Sequence, residues 1–356
     1  MRIVLAPAAF KGTLSAHDAA AAMALGARDA LPDAEIVEMP MADGGDGTLA
    51  VMLVHGYDPV VITAVDALGN PNTARIGLRG DSAFIELAEV CGIAQLDELD
   101  PIHASSAGLG LAMRAALDAG GSHLTVAIGG SASTDGGLGM LMALGLSATD
   151  VAGRPVSPDL RGLGQVAAID SSNLDPRIEA LTLLTDVDSP LLGASGAAFV
   201  FGPQKGLAPD QCAWADDLLA RLADLIDPSG SWVSAAGAGA AGGVGIRDSA
   251  VLGARRMPGA DAIADIIGLD EAVIGADLVV TGEGAVDAST SAGKAPSRVI
   301  EAARRAGVPC EVISGQRASG LLSLEELAGS AERAMAEPAR WLREATRISV
   351  TKVAAP

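Results

Sequence analysis

Again and again along this chain, a short aliphatic run breaks off into a polar, glycine-rich loop. "AEIVEM" (34–39) leads into "ADGGDGT" (42–48). "HLTVAIGG" (123–130) leads into "SASTDGG" (131–137). "EALTLL" (179–184) ends in "TDVD", and "ADLVV" (276–280) ends in "TGEGAVD". Runs of this length, rich in Val, Ile and Leu, read as buried strands. "RIVLA" (2–6) is the first. The Ala-rich segment 16–30 after it reads as a helix that Ser15 can cap and Pro32 ends. Strand, helix and strand in that order make a βαβ unit with parallel strands and a right-handed crossover. The loops leaving parallel strands then share one edge of a sheet, where ligands of open α/β proteins bind. Lys11 and the Asp43 loop are therefore expected to face the same crevice.

The layout recurs. Ser105 or Ser106 is placed to cap a helix running to about Ala119, ahead of the strand at 123. "APSRVIEAARRAG" is a helix with Pro296 in its first turn, and "PCEVISG" is a last strand. Between these lie "DPVVITAVDALGN", "NTARIGLRG" and "SAFIELAEV", which read as antiparallel strands joined by turns. The expected fold class is α/β: a parallel Rossmann-like sheet domain plus a second α+β domain. The first is expected to be discontinuous, over 1–60, 100–137 and 262–356; the second is expected as an insertion over 61–99 and 138–261. At 356 residues the chain is long enough for two cores.

The loop residues suggest chemistry. Asp43, Asp46, Asp135, Asp186, Asp188, Glu283 and Asp287 all fall on expected strand-end loops. Any one of them could simply brace a turn; a turn does not require that they gather at one edge. Carboxylates suit Mg²⁺, which prefers to complete its shell with water and substrate phosphate. A carboxylate can also accept the proton of an attacking hydroxyl. Lys11, Lys205 and Lys294 each lie beside or close to glycine and could hold an anion. Successive N–H groups and hydroxyls in "IGGSAST" (128–134), including Gly129, Gly130, Ser131 and Thr134, could form an anion nest.

Other classes fit less well. A net charge of −20 argues against a basic nucleic-acid face. It also means that an anionic substrate would need local lysine, arginine or metal. Cys91, Cys212 and Cys310 are scattered and odd in number, which suits a reducing cytoplasm. The start lacks a signal-peptide pattern, and the uncharged stretch 228–246, with six glycines, reads as a loop rather than a membrane span. "GAGAAG" (237–242) matches a dinucleotide-binding pattern but follows no good strand, and "AGKA" around Lys294 lacks Walker spacing. His17, His55, His103 and His123 suggest neither a zinc site nor a nucleophile–base pair.

Taken together and in order, "APAAFKGTLSA" (6–16), "MPMADGGDGT" (39–48), "AIGGSASTDGGLGML" (127–141), "DVDSPLLG" (186–193), "FGPQKG" (201–206), "GAGAAGGVG" (237–245) and "TGEGAVD…GKAP" resemble the bacterial glycerate kinase family of two-domain type through nearly the whole chain. The resemblance implies the glycerate kinase fold and ATP-dependent phosphorylation of D-glycerate to 2-phosphoglycerate, with ATP and Mg²⁺ required. The expected partners are therefore a small-molecule hydroxy acid and ATP; composition and charge add a cytoplasmic setting without nucleic acid or membrane, and a homo-oligomer is left open. In this reading Lys11 and Lys294 neutralise phosphate. Asp186 or Asp188 holds Mg²⁺ or accepts the proton of the attacking hydroxyl, with Asp186 as the catalytic candidate and both as metal candidates. Loop residues Asp43, Gly44, Gly45, Gly129, Gly130, Ser131, Thr134, Asp135 and Glu283 approach substrate or nucleotide. Ala8, Ala9, Thr134, Ser189 and Ala285 stand where the family pattern carries Asp, Ser, Asn, Asn and Arg. Those departures motivate two alternatives, a kinase for another small hydroxy acid and a non-catalytic ligand-binding homologue. A dehydrogenase rests on "GAGAAG" alone.

Overall fold

In the computed structural model, residues 1–226, 233–245, 251–285 and 294–354 are described. Their strands are, in chain order, β1 (Arg2–Leu5), β2 (Glu35–Glu38), β3 (Asp58–Val65), β4 (Pro71–Arg79), β5 (Ser82–Glu86), β6 (His123–Ala127) and β7 (Ser147–Thr149). There follow β8 (Ala168–Asp170), β9 (Ala180–Leu184), β10 (Arg255–Met257), β11 (Leu278–Glu283), β12 (Cys310–Ser314) and β13 (Leu322–Ser323). The chain divides into two compact units. One comprises 1–43, 50–55 and 258–356; the other comprises 44–49 and 56–257.

The first unit is a parallel five-stranded sheet in the order β13-β12-β11-β1-β2. Its central strands β1 and β11 are buried on both faces, which is why they read as apolar runs. In β1, Ile3 and Leu5 point to one face and join Met23 of helix Ala16–Ala30 and Leu342 of helix Pro338–Ala354. Val4 points to the other, with Val299 and Ala303 of helix Ala295–Ala306. Ser15 caps the first helix as expected, its hydroxyl accepting the Asp18 N–H at 3.0 Å.

The second unit holds a six-stranded mixed sheet, β10-β9-β6-β5-β4-β3. Its β3–β4–β5 part is antiparallel, as the sequence suggested, and β5, β6, β9 and β10 are parallel. A small β7–β8 ribbon completes it. One expected boundary is corrected. Residues 100–137 belong to this second unit, because β6 pairs with β5 and β9. A helix followed by a parallel strand looks the same locally in either sheet, and only the pairing partners separate the two. Residues 44–49 and 56–60 also lie in the second unit, and 258–261 in the first. Of the uncharged stretch 228–246, the described part holds turns and the 3₁₀ segment Ala240–Gly243. Among the described residues, no helix is long and apolar enough to cross a membrane.

Candidate functional site

In the first unit, the loops after β1, β2, β11 and β12 leave one edge of the sheet and line a cavity of about 350 Å³. Lys11, Asp43, Glu283 and Lys294 are all on its wall. The expectation that Lys11 and Asp43 share a crevice therefore holds within this unit. Glycine lets the loops press together. A Cβ on Gly315 would lie 2.5 Å from the Gly284 carbonyl oxygen, and one on Gly284 would lie 3.2 Å from the Lys11 nitrogen. Backbone bonds lock the arrangement: the Ala8 N–H donates to Gly282 at 2.9 Å and the Gly315 N–H to Glu283 at 2.9 Å. Lys294 is the N-cap residue of helix Ala295–Ala306, so its ammonium and the positive end of the helix dipole belong to one wall. Arg298, buried and paired with Asp270 through bonds of 2.9 and 2.8 Å, pins that helix to its neighbour. The rest of the wall includes Gln316 and Met335, which the sequence reading did not single out. Ala9 and Ala285 line the cavity, whereas Ala8 packs against the hydrophobic core. Asp287 lies outside the described residues.

In the second unit, two glycine-rich loops meet. Gly129 approaches Gly44 and Gly45 so closely that a Cβ there would sit 3.2 Å from both. Gly44 at φ +83°, and Gly136 and Gly137 at +62° and +72°, are left-handed, which accounts for the first glycine of the first D-G-G loop and for both glycines of the second. Gly130 accepts the Ile93 N–H at 2.8 Å. The hydroxyls of the second loop point inward rather than into an anion nest. Ser131 Oγ accepts from Lys205 Nζ at 2.8 Å, and Lys205 also donates to the Ser133 carbonyl at 2.6 Å. Thr134 is fully buried, and its hydroxyl has no hydrogen-bond partner among the described residues.

Asp135 is 0 % exposed. Its carboxylate accepts from the Ser106 N–H and Oγ at 2.8 and 2.7 Å, from Ser133 Oγ at 3.1 Å, and from the Gly137 and Gly139 N–H groups at 3.2 and 3.1 Å. With its acceptor sites filled in this way, it braces the loop from beneath. Ser106, expected as a helix cap, is drawn into the same network: its Oγ also accepts the Met140 N–H at 3.0 Å. Lys205 is buried, and burial pushes its ammonium down to about 8 while Asp135 pulls the other way.

Asp186 and Asp188 follow β9 and are exposed, with half-buried Val187 between them. Among the described residues, no three His, Cys, Asp or Glu side chains gather as a metal cage. The glycines of "GAGAAG" serve packing: Gly242 accepts the Gly136 N–H at 2.9 Å, and the Gly239 N–H donates to Ser189 at 2.9 Å. Glu86, at the end of β5, was also missed. It is 1 % exposed and reaches the first glycine-rich loop. Its only trace in the sequence is an acid closing the apolar strand "SAFIE".

These features define a two-unit α/β protein whose strand-end loops carry lysines, carboxylates and closely packed glycines. The chain belongs to the glycerate kinase family, whose model matches residues 3–354. It is 38% identical to a glycerate kinase of Bacillus subtilis over 324 residues, 88% of this chain and 85% of the relative. It is 36% identical to the glycerate 2-kinase of Escherichia coli, also over 324 residues, with 88% and 85% covered. The solved structure of a protein assigned as glycerate kinase 2 from Salmonella typhimurium LT2 superposes with a TM-score of 0.89 at 37% identity, covering 99% of this chain and 98% of that one.

Proposed function

We propose that this chain is a glycerate kinase that transfers the γ-phosphoryl group of ATP to D-glycerate, giving 2-phosphoglycerate. Membership of the family supports the reaction. The observation that carries the site is the cavity wall on which Lys11 and Lys294 stand with Asp43 and Glu283. Two cations and a helix N-terminus fit a polyphosphate, which a chain of net charge −20 would otherwise repel. Phosphoryl transfer asks mainly for positioning and charge stabilisation. Lys11 and Lys294 hold phosphate oxygens and offset charge that builds up during transfer. Backbone N–H groups of the Gly44–Gly45 and Gly129–Gly130 loops orient anionic oxygens. Asp186 accepts the proton of the attacking hydroxyl or, with Asp188, binds metal. Two exposed carboxylates one residue apart fit a hydrated Mg²⁺, which neutralises phosphate charge when bound. Asp135 and Lys205 act through the loop they hold. Three free cysteines support a cytoplasmic setting.

The test is product analysis by ³¹P NMR with D-glycerate, ATP and Mg²⁺ at saturation. A 2-phosphoglycerate signal is expected, and its absence sinks the proposal. A second reading, a kinase for a less polar hydroxy acid, is favoured by the two alanines on the cavity wall, Ala9 and Ala285. Faster turnover of such an acid in the same assay would select it.

A further inference from the structure

The first glycine-rich loop runs into helix Thr48–Val54. The opening N–H groups of a helix have no partner within it. Thr48 uses the loop itself, its hydroxyl donating to the Gly45 carbonyl at 2.6 Å. The Gly47 and Leu49 N–H groups instead turn to a side chain distant in sequence. Gly47 donates to Glu86 Oε1 at 2.9 Å, and Leu49 donates to Oε2 at 2.7 Å. Each carboxylate oxygen thus takes one donor, and the loop so held is the one that packs on Gly129. We propose that Glu86 is a positioning residue: its ionised carboxylate clamps the Gly44–Leu49 loop in the shape that transfer requires. The proposal rests on the kinase reading for its catalytic consequence, but the clamp itself does not.

The clamp is conditional on charge. An ionised carboxylate accepts both N–H groups, whereas a protonated one carries an O–H toward one of them and loses that bond. Burial raises the Glu86 carboxyl to about 7; the Leu49 and Gly47 N–H groups oppose the rise, and the charges of Asp46 and Glu89 add to it. Arg75 is the cation near these acids, and it is engaged by Glu89. The loop should therefore be held above neutral pH and released on one side below it.

Two measurements decide the matter. In wild-type protein, the amide signals of Gly47 and Leu49 should titrate together with a midpoint near 7, a readout that needs no turnover. In kinetics, the wild type should lose kcat/KM as pH falls through that midpoint. Glu86→Gln, folded by circular dichroism, should lower kcat/KM at pH 8 roughly 10- to 100-fold and abolish the limb. Amide signals that stay fixed from pH 5.5 to 8.5 overturn the clamp even if the variant does not fold. A folded variant with wild-type kcat/KM, or with the limb intact, overturns its catalytic role. Absence of any glycerate phosphorylation by the wild type counts against the kinase reading alone, and the amide titration still decides the clamp.

Discussion

Lys205 buries a charge beneath the second glycine-rich loop and ties that loop to the core through Ser131 and Ser133. Its ammonium costs stability: with a folded value near 8 against an ordinary 10.5, burial penalises the charged form. By linkage that gap is about 3 kcal/mol, fully felt below pH 8 and fading as pH rises toward 10.5. Against it stand two charge-assisted bonds, to Ser131 and to the Ser133 carbonyl, each contributing about 1.5–3 kcal/mol. Together the bonds contribute about 3–6 kcal/mol, so they match the burial cost or exceed it by up to about 3 kcal/mol, and Lys205→Met should lower unfolding free energy at pH 7 by no more than about 3 kcal/mol in denaturant melts. Between pH 8 and 10.5 the wild type should gain stability relative to the variant. Activity should fare worse, because the second loop loses both anchors: kcat/KM should drop at least about tenfold. A variant that unfolds outright, or one that keeps full activity, would contradict this division of roles.

At the scale of elements, close approach of helices holds the loops. Gly110 lies in helix Ala107–Asp118, and a Cβ there would fall 2.2 Å from the Met140 carbonyl and 2.8 Å from Ala143 Cβ. Both belong to helix Leu138–Ala143, which begins where the D-G-G loop ends. Helix propensity alone would favour Gly110→Ala by about 1 kcal/mol. The backbone clash outweighs it, since overpacking costs about 1–3 kcal/mol and here the obstacle cannot rotate away. Gly110→Ala should lower Tm and kcat/KM together. Gly307→Ala, at a helix C-cap with φ +70° and open space around it, should cost stability through backbone strain but leave kcat/KM near wild type. Equal activity in the two variants would refute the account. Much of this layer was legible beforehand. β1, β2, β9 and β11 announce themselves as apolar runs, and Ser15 caps the helix it precedes. Allocating β6 to a sheet was not legible, because its partners β5 and β9 are distant in sequence. Nor was the inward turn of Ser131, Ser133 and Asp135: their types suit an anion site and a buried network equally well. Glu86 was hidden for a related reason, since its partners are backbone N–H groups that no residue type reveals.

For the whole molecule the governing quantity is charge. The chain carries −20 at neutral pH, yet the proposed substrates, ATP and glycerate, are anions. Two fields act on an arriving substrate. The summed acid charge repels it over long distances, while Lys11 and Lys294 attract it only at the cavity wall. Salt does not weaken these equally. The Debye length falls from about 30 Å at 0.01 M to about 8 Å at 0.15 M, so added salt removes most of the distant repulsion. Contacts of a few ångströms in a partly enclosed cavity are screened much less. An enzyme that steers anions with a broad basic surface loses kcat/KM as salt rises. This one should gain, or at least not lose, kcat/KM for glycerate between 0.01 and 0.15 M NaCl at fixed pH and saturating Mg-ATP. Lys11→Met should reverse the balance of the short-range field: its kcat/KM should be far lower at every salt concentration, with the same upward trend because the global charge is nearly unchanged. A steep fall in wild-type kcat/KM over that range would mean that long-range attraction, not local lysines, brings the substrate in.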